Sequence, residues 1–220
     1  MSYTLATATT AVRNGLNEDT AVFWSDTEIQ GWIQEGSLLF TSATLLVEDT
    51  DDITLVANQL SYSSSDHSWI GDCVEVYSAY YNDKSNNYAG LIKGHPRSLG
   101  HLDTFTAGDP KYIMLHNRTL YVWPLTTAAI VTAVGVVTVL YAKVTNDITA
   151  IQDEFQIWPI VYALAKCKQK DRREQEASSL FTQFYTMLNF ERSDKHARET
   201  DSMDRFLIPA TGQGPEDSRG

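Results

Sequence analysis

The chain has 220 residues, 43% of them hydrophobic, so it can bury a core and fold as one or two domains. Its 17 Lys and Arg stand against 28 Asp and Glu, and the net charge of −11 argues against a protein whose task is to bind nucleic-acid phosphates. The same charge does not exclude DNA as a passing neighbour, because a surface that repels phosphate lets DNA slide without sticking.

The stretch WSDTEIQGWI predicts the start of an amphipathic helix. Ser25 is placed to accept the backbone N–H of Glu28, and the Glu28 carboxylate is placed to reach back to the N–H of Ser25, as in a capping box. Trp24 and Ile29 flank this cap as a hydrophobic staple requires. Apolar residues then recur at three- and four-residue steps, which predicts a helix over residues 26–47 with one buried face.

The middle of the chain, residues 52–145, is predicted to be rich in strands. The predicted strands are ITLVA, CVEVYSAYY, YIML, TLYVWP and IVTAVGVVTVLYAKV. YIMLHNRTLYVWP is the clearest hairpin, because Asn117 tolerates the positive φ of a tight turn and Pro124 ends the second strand. Residues 87–110 are rich in Gly, His and Pro and are predicted to form a long loop with one short helix.

Helices return in residues 153–198. Two apolar stripes separated by the charged stretch KQKDRREQE predict an antiparallel helix pair that reverses near residues 171–174. A single long helix is the alternative, because neither Gly nor Pro marks the turn. Pro159 either kinks the first of these helices or marks its beginning. A short helical turn is also predicted near the start of the chain, over residues 9–16.

Together these segments predict an α+β fold. It consists of a helical bundle from an N-terminal helix and a C-terminal helix pair, with a large antiparallel β insertion and an extended C-terminal tail. The bundle is assigned to residues 1–50 and 146–202, the β-rich domain to residues 51–145, and the C-terminal arm to residues 203–220. The helices are expected to pack together because each has an apolar face too wide to leave in water. The side chains expected to be buried in this bundle are Trp32, Ile33, Tyr162 and Phe184.

The sequence offers no pattern that predicts catalysis, a metal site or a cofactor. The five histidines are scattered, so solvated loop histidines are favoured over a metal site. SYSSSDHSW contains serine, aspartate and histidine, but triads are assembled from separate loops, so a polar turn is favoured over a hydrolase. Asp153 and Glu154 are helix neighbours that do not converge on one substrate atom, and their charge is assigned to a first helical turn. GHPRSLGH lacks the Walker pattern.

Three further features bear on compartment and partners. Cys73 and Cys167 are too few for a disulfide framework or a zinc site and are interpreted as small buried hydrophobes in a reducing compartment. The basic residues of KCKQKDRR adjoin acidic ones, which favours a solvated helix end over a nucleic-acid site. The first ten residues lack the features of a signal peptide, and the most apolar run, residues 128–142, is too short to cross a bilayer. We therefore expect a soluble protein without membrane contacts.

The order of these segments resembles the head-to-tail adaptor proteins of tailed bacteriophages. The resemblance covers residues 9–188 and rests on four features, which are the helix opening WSDTEIQGWI, the YIMLHNRTLYVWP hairpin, the strand ending VLYAKV, and the helix DEF…IVYALAKCK. It implies a ring homo-oligomer, usually of twelve subunits, docked beneath the portal protein and leading to a tail or nozzle protein. It also implies a central channel through which DNA passes without specific binding.

This resemblance implies a structural protein of the virion neck, assembled in the host cytoplasm, with no enzyme activity and no cofactor. The acidic composition predicts that the channel-facing surface is acidic or mixed in charge rather than basic. The alternative is a β-rich module with a helical base, from a phage tail or a bacterial surface, that binds carbohydrate or protein.

The end of the chain contains one compact apolar cluster, RFLIP, within an otherwise polar segment. A disordered end has no internal reason to carry three large apolar residues together, and such a segment usually buries itself on another surface. Adaptors of this kind extend a C-terminal arm along the portal, which implies docking in a groove of portal or of a neighbouring subunit, with the arginine facing an acidic rim. The alternative is that the cluster folds back on its own helices. The residues of this predicted partner-binding site are Arg205, Phe206, Leu207, Ile208 and Pro209.

Overall fold

The structure is a computed structural model, and it describes residues 2–18, 23–82, 88–94 and 107–206. Within these residues the chain forms five α-helices and eight β-strands, and the predicted α+β fold is confirmed. The helices are α1 (Leu5–Leu16), α2 (Asp26–Thr44), α3 (Ala128–Ala133), α4 (Ile157–Lys170) and α5 (Glu174–Phe206). The strands are β1 (Glu48–Thr54), β2 (Ser61–Tyr62), β3 (Cys73–Asn82), β4 (Tyr88–Gly90), β5 (Ile92–Lys93), β6 (Tyr112–His116), β7 (Thr119–Trp123) and β8 (Val136–Lys143).

Helix α2 begins where the sequence predicts. The Ser25 hydroxyl accepts the backbone N–H of Glu28 at 3.2 Å, and the flanking Trp24 and Ile29 are both buried in one cluster, as the staple predicts. The second half of the predicted capping box is wrong, because the Glu28 carboxylate pairs with Lys170 of α4 instead. The start of α2 is therefore tied both to its own cap and to a neighbouring helix.

Two helix boundaries in the first 50 residues differ from the prediction, and the C-terminal helices begin at Ile157 and end at Phe206 instead of spanning residues 153–198. Helix α2 ends at Thr44 and not at residue 47, because Leu45 adopts a left-handed conformation with φ of 53°. Helix α1 starts four residues earlier than predicted, at Leu5 instead of residue 9. Its start is fixed by a capping box in which Thr4 and Thr7 each accept a backbone N–H from the other.

The predicted packing of α2 against the C-terminal helices is confirmed. Ile33 lies in a cluster with α1 and α4, while Tyr162 and Phe184 lie in a second cluster that joins α2, α4 and α5. Trp32 is partly buried and packs against the first of these clusters. Helices α2 and α4 approach closely at Gly36, where an added Cβ would lie 3.0 Å from the Tyr162 side chain.

The C-terminal helices form a pair, so the alternative of a single long helix is wrong. Arg172 takes φ of 59° between α4 and α5 and reverses the chain without Gly or Pro. Asp153 and Glu154 lie in a turn before α4, which begins at Ile157, so their assignment to a first helical turn is wrong. Pro159 lies within the first turn of α4, where its missing N–H costs no helical hydrogen bond.

The strands form two four-stranded sheets, in the orders β1-β8-β3-β4 and β2-β7-β6-β5. Neighbouring strands are antiparallel except β5 and β6, which are parallel. Inward-facing residues of both sheets share one apolar core, which is separate from the two helical clusters. Its largest buried side chains include Ile53, Tyr62, Ile70, Ile113, Leu120 and Tyr141.

The predicted hairpin is confirmed, with β6 and β7 joined by Asn117 and Arg118, both at positive φ. The predicted strand ITLVA is displaced, because β1 occupies the acidic residues Glu48–Thr54 and pairs along its length with β8. Residues 87–110 contain β4 and β5, which the prediction of a loop with one helix missed, and residues 95–106 lie outside the described residues.

The long predicted strand IVTAVGVVTVLYAKV is a helix followed by a strand. Its first part belongs to α3, whose start is capped by the Thr127 side chain accepting the N–H of Ile130 at 3.3 Å. Gly135 then takes φ of 76°, which a β-branched residue would resist, and β8 follows. Helix α3 forms despite its β-branched residues because Thr127 caps its start and Gly135 ends it.

The β region leaves and rejoins the helical layer through two adjacent chain crossings. The backbone N–H of Lys143 donates to the carbonyl of Val47 at 2.8 Å. The Thr41 hydroxyl lies 2.9 Å from the carbonyl of Thr145 and accepts the N–H of the same residue at 3.1 Å. Tyr77 of β3 donates to the carbonyl of Leu45 at 2.9 Å. Residues of α2 and β3 therefore form hydrogen bonds with the two chain segments that connect the β region to the helices.

Candidate assembly surfaces

The polar groups that resemble catalytic motifs make local contacts. Asp66 accepts the backbone N–H of Ser63 at 2.7 Å and its hydroxyl at 3.0 Å, and the backbone hydrogen bond lowers the pKa of Asp66. His67 lies beside Tyr62, with ring centroids 6.1 Å apart. Among the described residues, no group of three or more His, Cys, Asp and Glu is arranged to hold a metal ion.

Four of the five basic residues of KCKQKDRR form ion pairs with nearby acids. Lys166 binds Glu35, Lys168 binds Glu176, and Arg173 binds Asp171. Lys170 binds Glu28 and also lies 5.1 Å and 5.8 Å from the ring centroids of the two tryptophans that flank the start of α2, Trp24 and Trp32. These contacts hold α4 and α5 to each other and to α2, and they agree with the interpretation of this stretch as a helix end.

A buried arginine joins α1 to the start of α2. Arg13 is 7% exposed and bonds the Asp26 carboxylate at 2.6 Å and 2.9 Å. It also donates to the Trp24 carbonyl at 2.8 Å and lies 3.3 Å from Glu18. The sequence analysis missed this network, because the spacing of its members along the chain matches no local motif.

Both cysteines are buried, as predicted, and neither is disulfide-bonded. Burial raises the pKa of the Cys73 thiol to about 12 and that of the Cys167 thiol to about 12. A thiolate is the reactive form, so both side chains are protonated and unreactive near neutral pH.

One edge of the first sheet is strongly acidic. Among the described residues, only β8 pairs with strand β1, which is therefore an edge strand of this sheet. Asp49 and Asp51 bind Lys143 and Tyr141, and Asp52 accepts a hydrogen bond from Thr138. Charged side chains protect an exposed strand edge from pairing with other chains, and they give this side of the molecule a negative potential.

Helix α5 borders an open groove together with Gln169 of α4. Ala177, Phe184 and Leu188 are buried against the other helices. The groove, here called the α5 groove, has a volume of about 540 Å³. It is lined by Gln169, Glu174, Ala177, Ser178, Phe181, Thr182, Tyr185, Thr186 and Asn189. Tyr185 is 49% exposed, and its ring lies beside those of Phe181 and Phe184, with ring centroids 6.4 Å and 5.4 Å apart.

The end of α5 projects beyond the helical layer. Phe155 and Trp158 at the start of α4 pack into the same cluster as Leu188 of α5, so the two helices are antiparallel and α4 begins beside this part of α5. Helix α5 continues to Phe206, about 27 Å beyond Leu188 at 1.5 Å per residue. Of the predicted partner-binding residues, Arg205 and Phe206 are in the last turn of α5, and residues 207–209 lie outside the described residues.

The α5 groove was not predicted from the sequence. Tyr185 follows Phe184 directly, and neighbours on a helix point about 100° apart, so the two aromatic residues cannot share one face. The available signal was this pair, together with Phe190, which is 63% exposed. Apolar residues outside the buried stripe of a helix indicate a surface for a further partner.

These features define a class of protein. It has an α+β fold without a recognisable catalytic arrangement in its described residues, and its main unassigned surfaces are a groove with a mixed polar and apolar lining, an acidic strand and a projecting helix. Such surfaces suit a protein that acts through contacts with other proteins.

The family comparison identifies the group to which the chain belongs. A family model described as SU10 adaptor protein matches residues 3–206, so the chain belongs to the SU10 adaptor protein family. The resemblance to bacteriophage head-to-tail adaptors is thereby confirmed, and the protein is a phage adaptor and a virion component that interacts with other phage head and tail proteins. A comparison with curated proteins found no match. Within the described part of the chain, no helix combines the length and apolar character that crossing a bilayer requires.

Proposed function

We propose that the protein is a structural virion protein that forms a ring, with twelve subunits, between the portal at the capsid vertex and the tail. The ring occupies the neck of the virion and lines the channel through which the genome leaves. The observation that carries this proposal is the match to the adaptor family over residues 3–206, which includes all the helices and both sheets.

The surfaces of the subunit support assembly into a ring. Tyr185 and Phe190 of α5 are largely exposed although both are aromatic, and aromatic residues are enriched at protein interfaces. Helix α5 continues for about 27 Å along its axis beyond Leu188, which gives each subunit a long helical end. A groove on one part of a helix and an arm at its end are different surfaces, which suits the head-to-tail contacts of a ring.

The ring is tested by electron microscopy of the purified protein, alone and mixed with the portal protein of the same phage. We expect closed rings stacked coaxially on portal, with twelve-fold symmetry in class averages. A protein that stays monomeric by light scattering in both conditions, and adds no density to portal, would contradict the proposal.

We further propose that DNA passes through this ring without specific binding. The subunit charge of −11 is repeated around a ring, and Asp49, Asp51 and Asp52 concentrate negative charge on one strand. A lumen that attracted phosphate would retain the genome through counterion release.

This charge predicts weak DNA binding. At physiological salt we expect fluorescence anisotropy to detect no binding of a DNA duplex at micromolar protein. Ordinary nonspecific binders have dissociation constants of about 10⁻⁴ to 10⁻⁶ M, so the tighter of them would be detected under the same conditions. The matched measurement is a salt titration from low to physiological ionic strength. Tight binding that falls steeply with salt would contradict the prediction.

A further inference from the structure

We propose that α2 of one subunit packs against α4 and α5 of a neighbouring subunit, through two exposed surfaces on opposite sides of the helical layer. This inference rests on the proposed ring and specifies a contact between its subunits. The first surface, here called the α2 face, consists of Thr27, Gly31, Gln34, Leu38 and Ser42. The second surface, here called the α4–α5 face, consists of Ile157, Val161, Leu164, Leu180, Met187 and Phe190.

The two faces point in opposite directions because α2 and α4 pack together through their other sides. The residues of α4 that meet α2 are Pro159, Tyr162, Lys166 and Lys170. Each helix residue is turned by about 100° from the one before it, so the α4 residues of the α4–α5 face point away from α2. In α2, Gly36 meets α4, and the same rotation puts the α2 face on the far side of that helix. A contact between the two faces is therefore head-to-tail, and it repeats around a closed ring when its rotation closes.

The α4–α5 face is apolar and partly exposed to water in the subunit. Ile157 is 40% exposed and Phe190 is 63% exposed. Leu180 lines the same open groove as Leu164, which places both helices at this face. Met187 and Phe190 follow Leu180 after seven and ten residues, so they lie on the same side of α5. Apolar side chains grouped outside the buried stripe of a helix indicate a surface for a partner.

The α2 face allows another helix to approach closely. None of its five residues is charged, and Leu38 is 45% exposed. Gly31 is exposed, and a Cβ added there would meet no atom within 4 Å. Glycine lowers the stability of a helix interior relative to alanine, and no contact among the described residues requires it here. A helix of the next subunit that lies against Gly31 would use the space left by the missing side chain.

The contacts inside one subunit indicate which residues of the two faces meet. The rings of Phe40 and Phe155 have centroids 5.9 Å apart, and α2 and α4 run in opposite directions. Leu38, two residues before Phe40, is therefore at the height of Ile157, two residues after Phe155. For a ring axis parallel to these helices, the rotation that relates neighbouring subunits leaves that height unchanged. Leu38 of one subunit then meets Ile157 of the next.

The same geometry brings opposite charges together at the other end of the contact. Helix α2 carries three acidic residues and no basic residue. Glu28 pairs with Lys170 within the subunit, so the turn between α4 and α5 is at the height of the start of α2. Arg172 in this turn is exposed, lines the groove beside the α4–α5 face and forms no ion pair with a described residue. Packing brings Arg172 of one subunit toward Asp26 of the next, whose side chain is 63% exposed. This complement favours α2, and not a second α4–α5 face, as the occupant.

The contact is tested by cysteine crosslinking between two populations of the protein in the mixture with portal used above. One population carries Leu38→Cys in the α2 face, and the other carries Ile157→Cys in the α4–α5 face. The native thiols of Cys73 and Cys167 are buried and protonated, so they remain in place. We expect a disulfide-linked dimer on a non-reducing gel. The matched control pairs Leu38→Cys with Asn189→Cys, an exposed position that lines the α5 groove instead of the α4–α5 face.

The outcomes separate this contact from the proposed ring. Rings without a link between positions 38 and 157, or with equal linkage from position 189, overturn the inference and leave the ring standing. A disulfide-linked dimer in a preparation of Ile157→Cys alone shows that the α4–α5 face pairs with itself, and this also overturns the inference. If neither rings nor linked dimers form, both proposals fail.

A second measurement uses Gly31. Glutamine favours a helix over glycine, so Gly31→Gln should leave the melting temperature of the subunit unchanged or raise it. The same change should raise the protein concentration needed for half-assembly at least about tenfold, because the added side chain overpacks the contact. The matched control is Ala6→Gln, at an exposed residue of α1 outside both faces, which should leave that concentration unchanged. Assembly of Gly31→Gln at the wild-type concentration, or an equal loss in Ala6→Gln, overturns the inference.

Discussion

Phe184→Ala should lower the free energy of unfolding by about 3 to 5 kcal/mol, in the range measured for truncating a buried Phe. Phe184 is 0% exposed, and its ring lies 5.1 Å from that of Tyr162, between the helices whose packing builds this cluster. The remaining cavity would be bordered by side chains from α2, α4 and α5, which cannot all move to fill it. For a chain of this length the expected fall in melting temperature is about 10 °C.

The control is Phe190→Ala, which removes the same side chain from the same helix. Phe190 is 63% exposed, so its truncation should change the free energy of unfolding by less than about 0.5 kcal/mol. Urea denaturation of both variants, at protein concentrations low enough to avoid assembly, measures the difference. Equal destabilisation by the two changes would show that the buried cluster does not hold the helices together.

Arg13→Ala should cost about 3 kcal/mol, because it removes one partner of a buried charged network. The change would leave the Trp24 carbonyl without its 2.8 Å hydrogen bond and Glu18, whose side chain is 13% exposed, without its cation. Asp26 contributes less to the cost, since its side chain is largely exposed and water can replace the arginine.

Lys143→Ala tests whether burial is the cause. Lys143 pairs with Asp49 at 3.1 Å, but both side chains are in contact with water, so the loss should be below about 1 kcal/mol. The comparison again uses urea denaturation. A similar cost for the two variants would mean that burial of the Arg13 charge does not add to the stability of the contact of α1 with α2.

The sequence predicted those elements whose signals are local. Ser25 and the staple around it fixed the start of α2, and the alternation on either side of Asn117 fixed the hairpin. The helix pair was predicted from its two apolar stripes, although its turn depends on Arg172 in a left-handed conformation, which composition does not reveal. In each case the residues that decide the structure are within a few positions of one another.

The elements that the sequence analysis missed depend on distant partners or on competing signals. Strand β1 is acidic and has low strand propensity, and it forms because each of its residues pairs with β8 about ninety positions away. In α3, the β-branched Ile130 and Val131 favour a strand, whereas the cap at Thr127 and the positive φ at Gly135 favour the helix that forms. The same contrast holds for the candidate surfaces. The RFLIP cluster can be predicted from the sequence, whereas the α5 groove forms only when α5 packs against α4.

The position of the two chain crossings has a consequence for how this architecture can change. Val47 and Lys143 are joined by a backbone hydrogen bond, so the β region begins and ends at nearly the same point. A chain segment whose ends meet can be lengthened or shortened at a small cost in loop-closure entropy, which grows only with the logarithm of its length. The helices around Phe184 and Ile33 keep their packing whatever the size of the segment inserted at that point. The β region of this architecture can therefore change in size, while one helical layer is kept as the common frame.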